Sequence, residues 1–269
     1  WMTMTGTLSS KPARTGTWTL LVIGGSHMRE LALFLCQLLD ENFRRTSDES
    51  VAVAPKMSCN GMWGEVDLSM QYFFAHPIAA KSWRPNTTVT GPLAVIMDAA
   101  GINILHSLPN EHWMYLRAWT EHSTDLKAAL EDLRKRDVPC VFVTTPAVCE
   151  EKLPANKQWA AKYCKQRSDV LRDACKREFG ERVNAFHLDH PCFDGCLSAQ
   201  GAERLATRER SVALSFENVH VVDSQVFTAN QCWATADEDG MHYPPLVPIV
   251  AAHALTYLHT FIDAYTTAD

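Results

Sequence analysis

Apolar residues recur along this chain of 269 residues in two rhythms. Five short runs, Leu20–Ile23, Met70–Phe74, Leu93–Met97, Cys140–Thr144 and Val219–Val222, are rich in apolar and β-branched side chains and read as strands. The first and third show no alternation of apolar and polar positions, which is the pattern of a strand covered on both faces. Between the runs the spacing turns helical. Met28, Leu31, Leu35, Leu38 and Leu39 form one stripe, residues 119–136 are strongly amphipathic, and residues 160–179 and 202–214 continue the pattern. A last helix is lined by Val250, Ala254, Tyr257, Leu258 and Phe261. Strands alternating with helices predict an α/β fold: a three-layer α/β/α sandwich around a central, mainly parallel five-stranded sheet. No internal repeat or Pro/Gly/Ser-rich linker divides the chain. The expected organisation is a flexible N-terminal segment over residues 1–17 and a single domain over 18–269, with an irregular insertion around 181–201.

Composition narrows the class. With 46% hydrophobic and 21% charged residues, 12 Gly and 13 Pro, the chain is neither disordered nor collagen-like. A net charge of −6 offers no footprint for nucleic acid or an anionic membrane. The most apolar run, Leu246 to Ile262, is interrupted by Pro248, His253 and His259, so it reads as the buried face of a helix and no membrane span is expected. Residues 1–17 lack the apolar core of a signal peptide. That leaves a cytosolic protein or a luminal or extracellular domain separated from its targeting segment. Nine cysteines favour the second. Cys36 and Cys140 sit in apolar runs and are expected to be free thiols, whereas Cys149, Cys164, Cys175, Cys192, Cys196 and Cys232 lie in polar stretches where disulfides form. The sequon Asn86-Thr87-Thr88 fits a secretory route through the ER and Golgi.

The chemistry gathers at two places. After the first strand comes Gly24-Gly25-Ser26-His27-Met28-Arg29, where two glycines turn the chain and a helix opens on Ser26. In a parallel sheet this strand–helix turn is a favoured ligand site. The segment lacks the glycine pattern of a dinucleotide site, the Gly-Lys-Ser/Thr of a phosphate loop and the second Gly of a nucleophile elbow. Ser26 is then a nucleophile or a plain helix N-cap. The second place is Asp237-Glu238-Asp239-Gly240-Met241-His242-Tyr243-Pro244, between the last strand and the last helix. A serine needs a base, which a neutral imidazole supplies at physiological pH, and the imidazole needs a carboxylate to hold its tautomer. Asp239 and His242, three apart across a glycine, can form that pair within one loop. The competing role for His242 is an ordinary loop residue.

Together the two segments resemble the SGNH, or GDSL, hydrolases, in which a Ser follows the first strand in a Gly-Asp-Ser context and an Asp-x-x-His block lies near the C-terminus. Gly24-Gly25-Ser26-His27-Met28-Arg29 is most similar to the PC-esterase branch, with its Gly-Asp-Ser-x-x-Arg motif. That branch includes trichome-birefringence-like polysaccharide O-acetyltransferases and the catalytic domains of sialic acid O-acetyltransferases. Val221-Val222-Asp223-Ser224, a Cys/Trp-bearing loop and Asp239-Gly240-Met241-His242-Tyr243 look like the tail of that branch. Gly25 stands where the family carries Asp.

The resemblance implies an SGNH-like sandwich with Ser26, His242 and Asp239 as nucleophile, base and orienting acid. An oxyanion hole must also face the developing charge. The N–H of Ser26 is one donor, and Gly101-Ile102-Asn103 is similar to the family's Gly-x-Asn-Asp block, with Asn103 as donor and Ile104 in place of Asp. A turn role for Asn103 stays open. The family's glycine donor has Gly64 or Gly61 as candidates. Arg29 would brace the loop or touch substrate, and Trp233 would offer a face to a sugar ring, against surface and packing roles for each. The function implied is acetyl-ester hydrolysis or O-acetyl transfer on a carbohydrate. No cofactor is required, and the acetyl donor, acetyl-CoA or an acetylated glycan, enters as a substrate. Two alternatives remain: an inactive carbohydrate-binding domain of this fold, motivated by Gly25, and a zinc hydrolase built on the His and Cys residues of the His187 to Cys196 cluster, His187, His190, Cys192 and Cys196.

Overall fold

The uniform run at the first strand has a structural cause. Strand β1 (Trp18–Gly24) is buried at all its positions because it lies inside the sheet, hydrogen-bonded in parallel on both sides. The structure is a computed structural model that describes residues 17–41, 43, 57–64, 66–74, 92–105, 112–166 and 197–267. In chain order its main elements are β1, α1 (Ser26–Leu39), β2 (Met57–Trp63), β3 (Val66–Phe74), β4 (Leu93–Met97), α2 (Ile102–Leu105), α3 (His112–Lys135) and β5 (Cys140–Val143). Then follow α4 (Ala155–Gln166), α5 (Ala199–Ala213), β6 (Val219–Val222), α6 (Ser224–Thr228) and α7 (Val247–Thr267).

The fold is α/β, with one sheet ordered β2-β3-β1-β4-β5-β6. The five expected strands are present and parallel. A sixth, β2, joins the edge antiparallel to β3, so the sheet has six strands where the hydrophobic pattern predicts five. Asn60-Gly61 looks like a turn in sequence, yet it lies mid-strand. A side chain at Gly61 would collide with the carbonyl of Leu39 at the end of α1, so a glycine lets β2 pass close to that helix.

Side chains alternate across each strand, and the two faces are covered by different helices. Leu20, Val22, Ile96 and Val141 pack against Met28, Leu31 and Leu35 of α1 and Val250, Ala254 and Leu258 of α7. Leu21, Ile23, Met97 and Phe142 pack against Leu126, Leu130 and Leu133 of α3 and Ala213 of α5. By length and composition the stretch Pro244–Asp263 could cross a membrane, although one side of α7 faces the sheet. Its His259 pairs with Asp263 at 2.7 Å, with both side chains exposed.

Two expectations about cysteines divide. Cys140 is a free, buried thiol, and desolvation pushes its pKa far up, which leaves it inert. Cys36 is not free: it is bonded to Cys59, with the two Cα atoms 5.6 Å apart. The cause is β2, which sequence alone did not anticipate and which carries Cys59 alongside α1. Cys149 is bonded to Cys232. These two disulfides are compatible with an oxidising secretory or extracellular location. The side chain of Cys164, and Cys175, Cys192, Cys196, the sequon at Asn86, the segment 1–16 and the 181–196 insertion lie outside the described residues. The helix expected over residues 160–179 begins earlier, at Ala155, and is described to Gln166.

Candidate active site

The parallel strands taken in chain order run 2-1-3-4-5 across the sheet, so the winding reverses beside β1. Ligand crevices form at that reversal, beyond the carboxyl ends of the strands. Ser26 lies there, as the first residue of α1. The N-cap is Gly25 and no side chain caps the helix, so the hydroxyl of Ser26 does not serve the capping role that its sequence context also allowed. It is hydrogen-bonded instead to His242 Nε2 at 2.6 Å. The amides of this first turn have no acceptor within the helix, so the positive end of the helix dipole lies at this turn.

His242 reaches Ser26 from a loop 216 residues away in sequence. Its Nδ1 lies 2.8 Å from Asp239 Oδ1, and the same oxygen accepts the backbone N–H groups of Met241 and His242, each at 3.3 Å. A carboxylate only accepts, so Nδ1 carries the proton and Nε2 is left as acceptor for the Ser26 hydroxyl. The side chains of Asp239 and His242 are each about one-quarter exposed.

The loop that carries them is held from several sides. Met241 is buried among Ile102, Leu105, Val148, Leu153 and Leu205. Gly240 has φ +68°, its carbonyl accepts the N–H of Cys149 at 2.8 Å, and a Cβ there would lie 2.5 Å from the carbonyl oxygen of Cys149. Cys149 is also the partner of Cys232, seven residues before Asp239 in sequence. Lys152 Nζ donates to the carbonyl of Thr235 at 2.7 Å. Backbone, disulfide and lysine therefore tie the loop after β6 to the segment after β5.

The Gly24-Gly25 turn is held from both neighbouring strands. Tyr72 of β3 donates its hydroxyl to the carbonyl of Gly25 at 3.0 Å, and Asp98, just after β4, accepts the N–H of Gly25 at 3.1 Å. Burial raises the carboxyl of Asp98 to about 7, with the N–H groups of Ala100 and Gly25 opposing that rise and Glu209 adding to it. Neither Tyr72 nor Asp98 was singled out from sequence. An acid directly after an unbroken apolar strand was the available signal for Asp98. His27 was also missed: its ring stacks on that of His242 with centroids 4.7 Å apart, and its Nε2–H donates to the carbonyl of Met241 at 2.9 Å.

The other sequence candidates separate. Asn103 falls in α2, on the carboxyl edge after β4, but its side chain lies outside the described residues. Gly64 does not join the site. It forms the turn of the β2–β3 hairpin, where Trp63 pairs with Val66, while Ser26 lies beyond the Gly24–Phe74 pair at the other end of β3. At 3.3–3.4 Å per residue, the span from Val66 to Phe74 puts more than about 25 Å between them. Gly61 is also in β2, against α1. Arg29 pairs at 3.6 Å with its neighbour Glu30, and Asp239 is not among its partners. Trp233 stands 68% exposed, its indole N–H donating to the side chain of Gln231.

A largely apolar cleft of about 470 Å³, counted out to its open mouth, adjoins the site. His27 and His242 form one wall, and Met28, Leu31, Val143, Leu246 and Val250 contribute to the rest. The proposed zinc cluster from His187 to Cys196 lies outside the described residues. Cys149, Glu151 and Cys232 come together among the described residues, but the two sulfurs are bonded to each other and supply no thiolate.

No family model matches the chain, and no curated protein matches it. A chain from a solved structure described as "Dimerization is important for the GTPase activity of chloroplast translocon components atToc33 and psToc159" aligns with a TM-score of 0.27 and 11% identity. That alignment covers 88% of this chain and 82% of the other. At that score the likeness carries no argument about fold or function.

Proposed function

We propose that the chain is a serine-dependent acyl-transfer enzyme of SGNH type, acting as an acetyl esterase or as an O-acetyltransferase on a carbohydrate. The observation that carries this reading is the Ser26–His242–Asp239 relay, with links of 2.6 and 2.8 Å. Ser26 Oγ attacks the ester carbonyl while His242 Nε2 takes its proton, and Asp239 stabilises the imidazolium. The carbonyl electron pair moves onto oxygen, where the N–H of Ser26, with Asn103 as second donor, opposes the charge. Collapse expels the alcohol, or the thiol of a thioester donor, which takes the proton from His242. A water or a sugar hydroxyl then attacks the acyl-serine by the same path in reverse.

The choice of acetyl and carbohydrate follows from the resemblance to the PC-esterase branch, and Trp233 is an exposed flat surface suited to a sugar. The disulfides support a place in the secretory lumen or outside the cell. The test is labelling with a fluorophosphonate, read by intact mass, together with turnover of acetyl esters with and without glycan acceptors. Adduct formation that Ser26→Ala abolishes is expected. Turnover by the alanine variant would end the proposal.

A further inference from the structure

We infer that Asp98 is a positioning residue for Ser26: one buried carboxylate oxygen ties the nucleophile turn to the loop that follows β4. The inference rests on the reading of Ser26 as nucleophile and goes beyond it, since Asp98 touches neither the hydroxyl nor the base.

The geometry is specific to this oxygen. Asp98 Oδ1 accepts the N–H of Gly25, the residue before the nucleophile, at 3.1 Å and the N–H of Ala100 at 2.9 Å. The backbone N–H of Asp98 donates to the carbonyl of Ile23 at 3.1 Å, which continues the β1–β4 pairing up to the turn. Asp98 is 6% exposed, so both bonds form away from competing water and are charge-assisted when it is ionised. Two backbone features fit this role. Gly24 lies against the carboxylate so closely that a Cβ there would overlap Asp98 Oδ1, and Ala100 is held at φ 48°, a left-handed conformation that is unfavourable for a non-glycine residue. Such a conformation persists where its surroundings hold it, and the bond from its N–H to Asp98 is one such hold.

The turn is thereby gripped on both polar groups of one residue: Tyr72 donates to the Gly25 carbonyl from β3, and Asp98 accepts the Gly25 N–H from β4. Gly25 has no side chain with which to brace itself, and the family resemblance puts an acid at that place. Here the acid comes from the neighbouring strand. Through Ala100 the same oxygen fixes the start of the segment leading to Asn103, so nucleophile and candidate oxyanion donor share one anchor.

Two variants test this. Asp98→Leu keeps the size and removes the acceptor, whereas Asp98→Asn keeps an acceptor oxygen. Fluorophosphonate labelling of Ser26 should slow by about 100-fold in Asp98→Leu, the scale on which small misplacements of a reacting group act. It should stay within about tenfold of wild type in Asp98→Asn, where a neutral bond replaces a charge-assisted one. A merely structural role would not discriminate by acceptor. Amide spectra of the ¹⁵N-labelled wild type and Asp98→Asn, should Asp98→Leu fail to fold, are expected to show the Gly25 and Ala100 resonances shifting together. Equal labelling rates for wild type and folded Asp98→Leu would overturn the inference, as would Gly25 and Ala100 amides unmoved in Asp98→Asn. Wild type that fails to label while both amides shift would instead remove the nucleophile and leave the anchor.

Discussion

The ring of His27 lies on the ring of His242, with centroids 4.7 Å apart and planes inclined by 28°. The residue after Ser26 therefore packs on the imidazole that is hydrogen-bonded to Ser26, and its Nε2–H secures the carbonyl of Met241 next to it. Stacking of this kind contributes about 0.5–1.5 kcal/mol, or roughly two- to tenfold in an equilibrium. His27→Ala should lower kcat for an acetyl ester by about that factor, and His27→Phe, which keeps a flat ring, should lose less. Steady-state kinetics on the two variants checks the order.

Loss of the Cys149–Cys232 bond should affect stability and activity together. It closes 83 residues of chain, for which the chain-entropy account gives about 4.5 kcal/mol. It also tethers the approach to Asp239, so folded Cys149→Ala/Cys232→Ala protein should show reduced kcat below its Tm. The Cys36–Cys59 bond closes 23 residues between α1 and β2, away from the crevice. Replacing that pair with Ala should lower Tm and leave kcat of the folded protein nearly unchanged. Thermal melts and kinetics on both double variants separate the two cases.

Gly240 and Gly64 both have positive φ, +68° and +60°, but only Gly240 is enclosed. Gly64→Ala should cost about 1 kcal/mol of stability from backbone strain and leave activity intact. Gly240→Ala must also displace the loop from Cys149 and Leu153, so a drop in kcat of tenfold or more is expected on the scale of misplaced catalytic groups. Paired measurement of Tm and kcat decides it.

Asp98 also predicts a pH dependence of stability. Its folded pKa of about 7 lies above the ordinary value of 3.8, so the folded state holds a proton that the unfolded state releases. The stability this contributes is fully present below about pH 4 and is lost as pH rises towards 7. Wild type should therefore lose Tm relative to Asp98→Asn between pH 5 and pH 8. Melts of both proteins across that range test the sign.

Much of this arrangement was legible in the chain because it is local. Five apolar runs marked the parallel strands, and Asp239 and His242 are close enough in sequence to be read as a pair. What escaped depended on tertiary contact. β2 alternates cleanly only over Met57–Asn60 and then carries a turn-like Asn60-Gly61, so neither the sixth strand nor the bond from Cys59 to Cys36 showed in the pattern. Gly64 resembles a donor by residue type alone, and only the direction of the β2–β3 hairpin puts it at the wrong edge. Asp98, Tyr72 and His27 acquire their roles from β1 lying between β3 and β4 and from a loop that returns from the far end of the chain.

The central claim is that Ser26 is a nucleophile activated by His242. Intact mass after incubation with a fluorophosphonate tests it most directly, comparing wild type, Ser26→Ala and His242→Ala. The account predicts one adduct on wild type, mapped to the peptide containing Ser26, none on Ser26→Ala and greatly slowed labelling of His242→Ala. An adduct of equal rate and yield on all three proteins would contradict it.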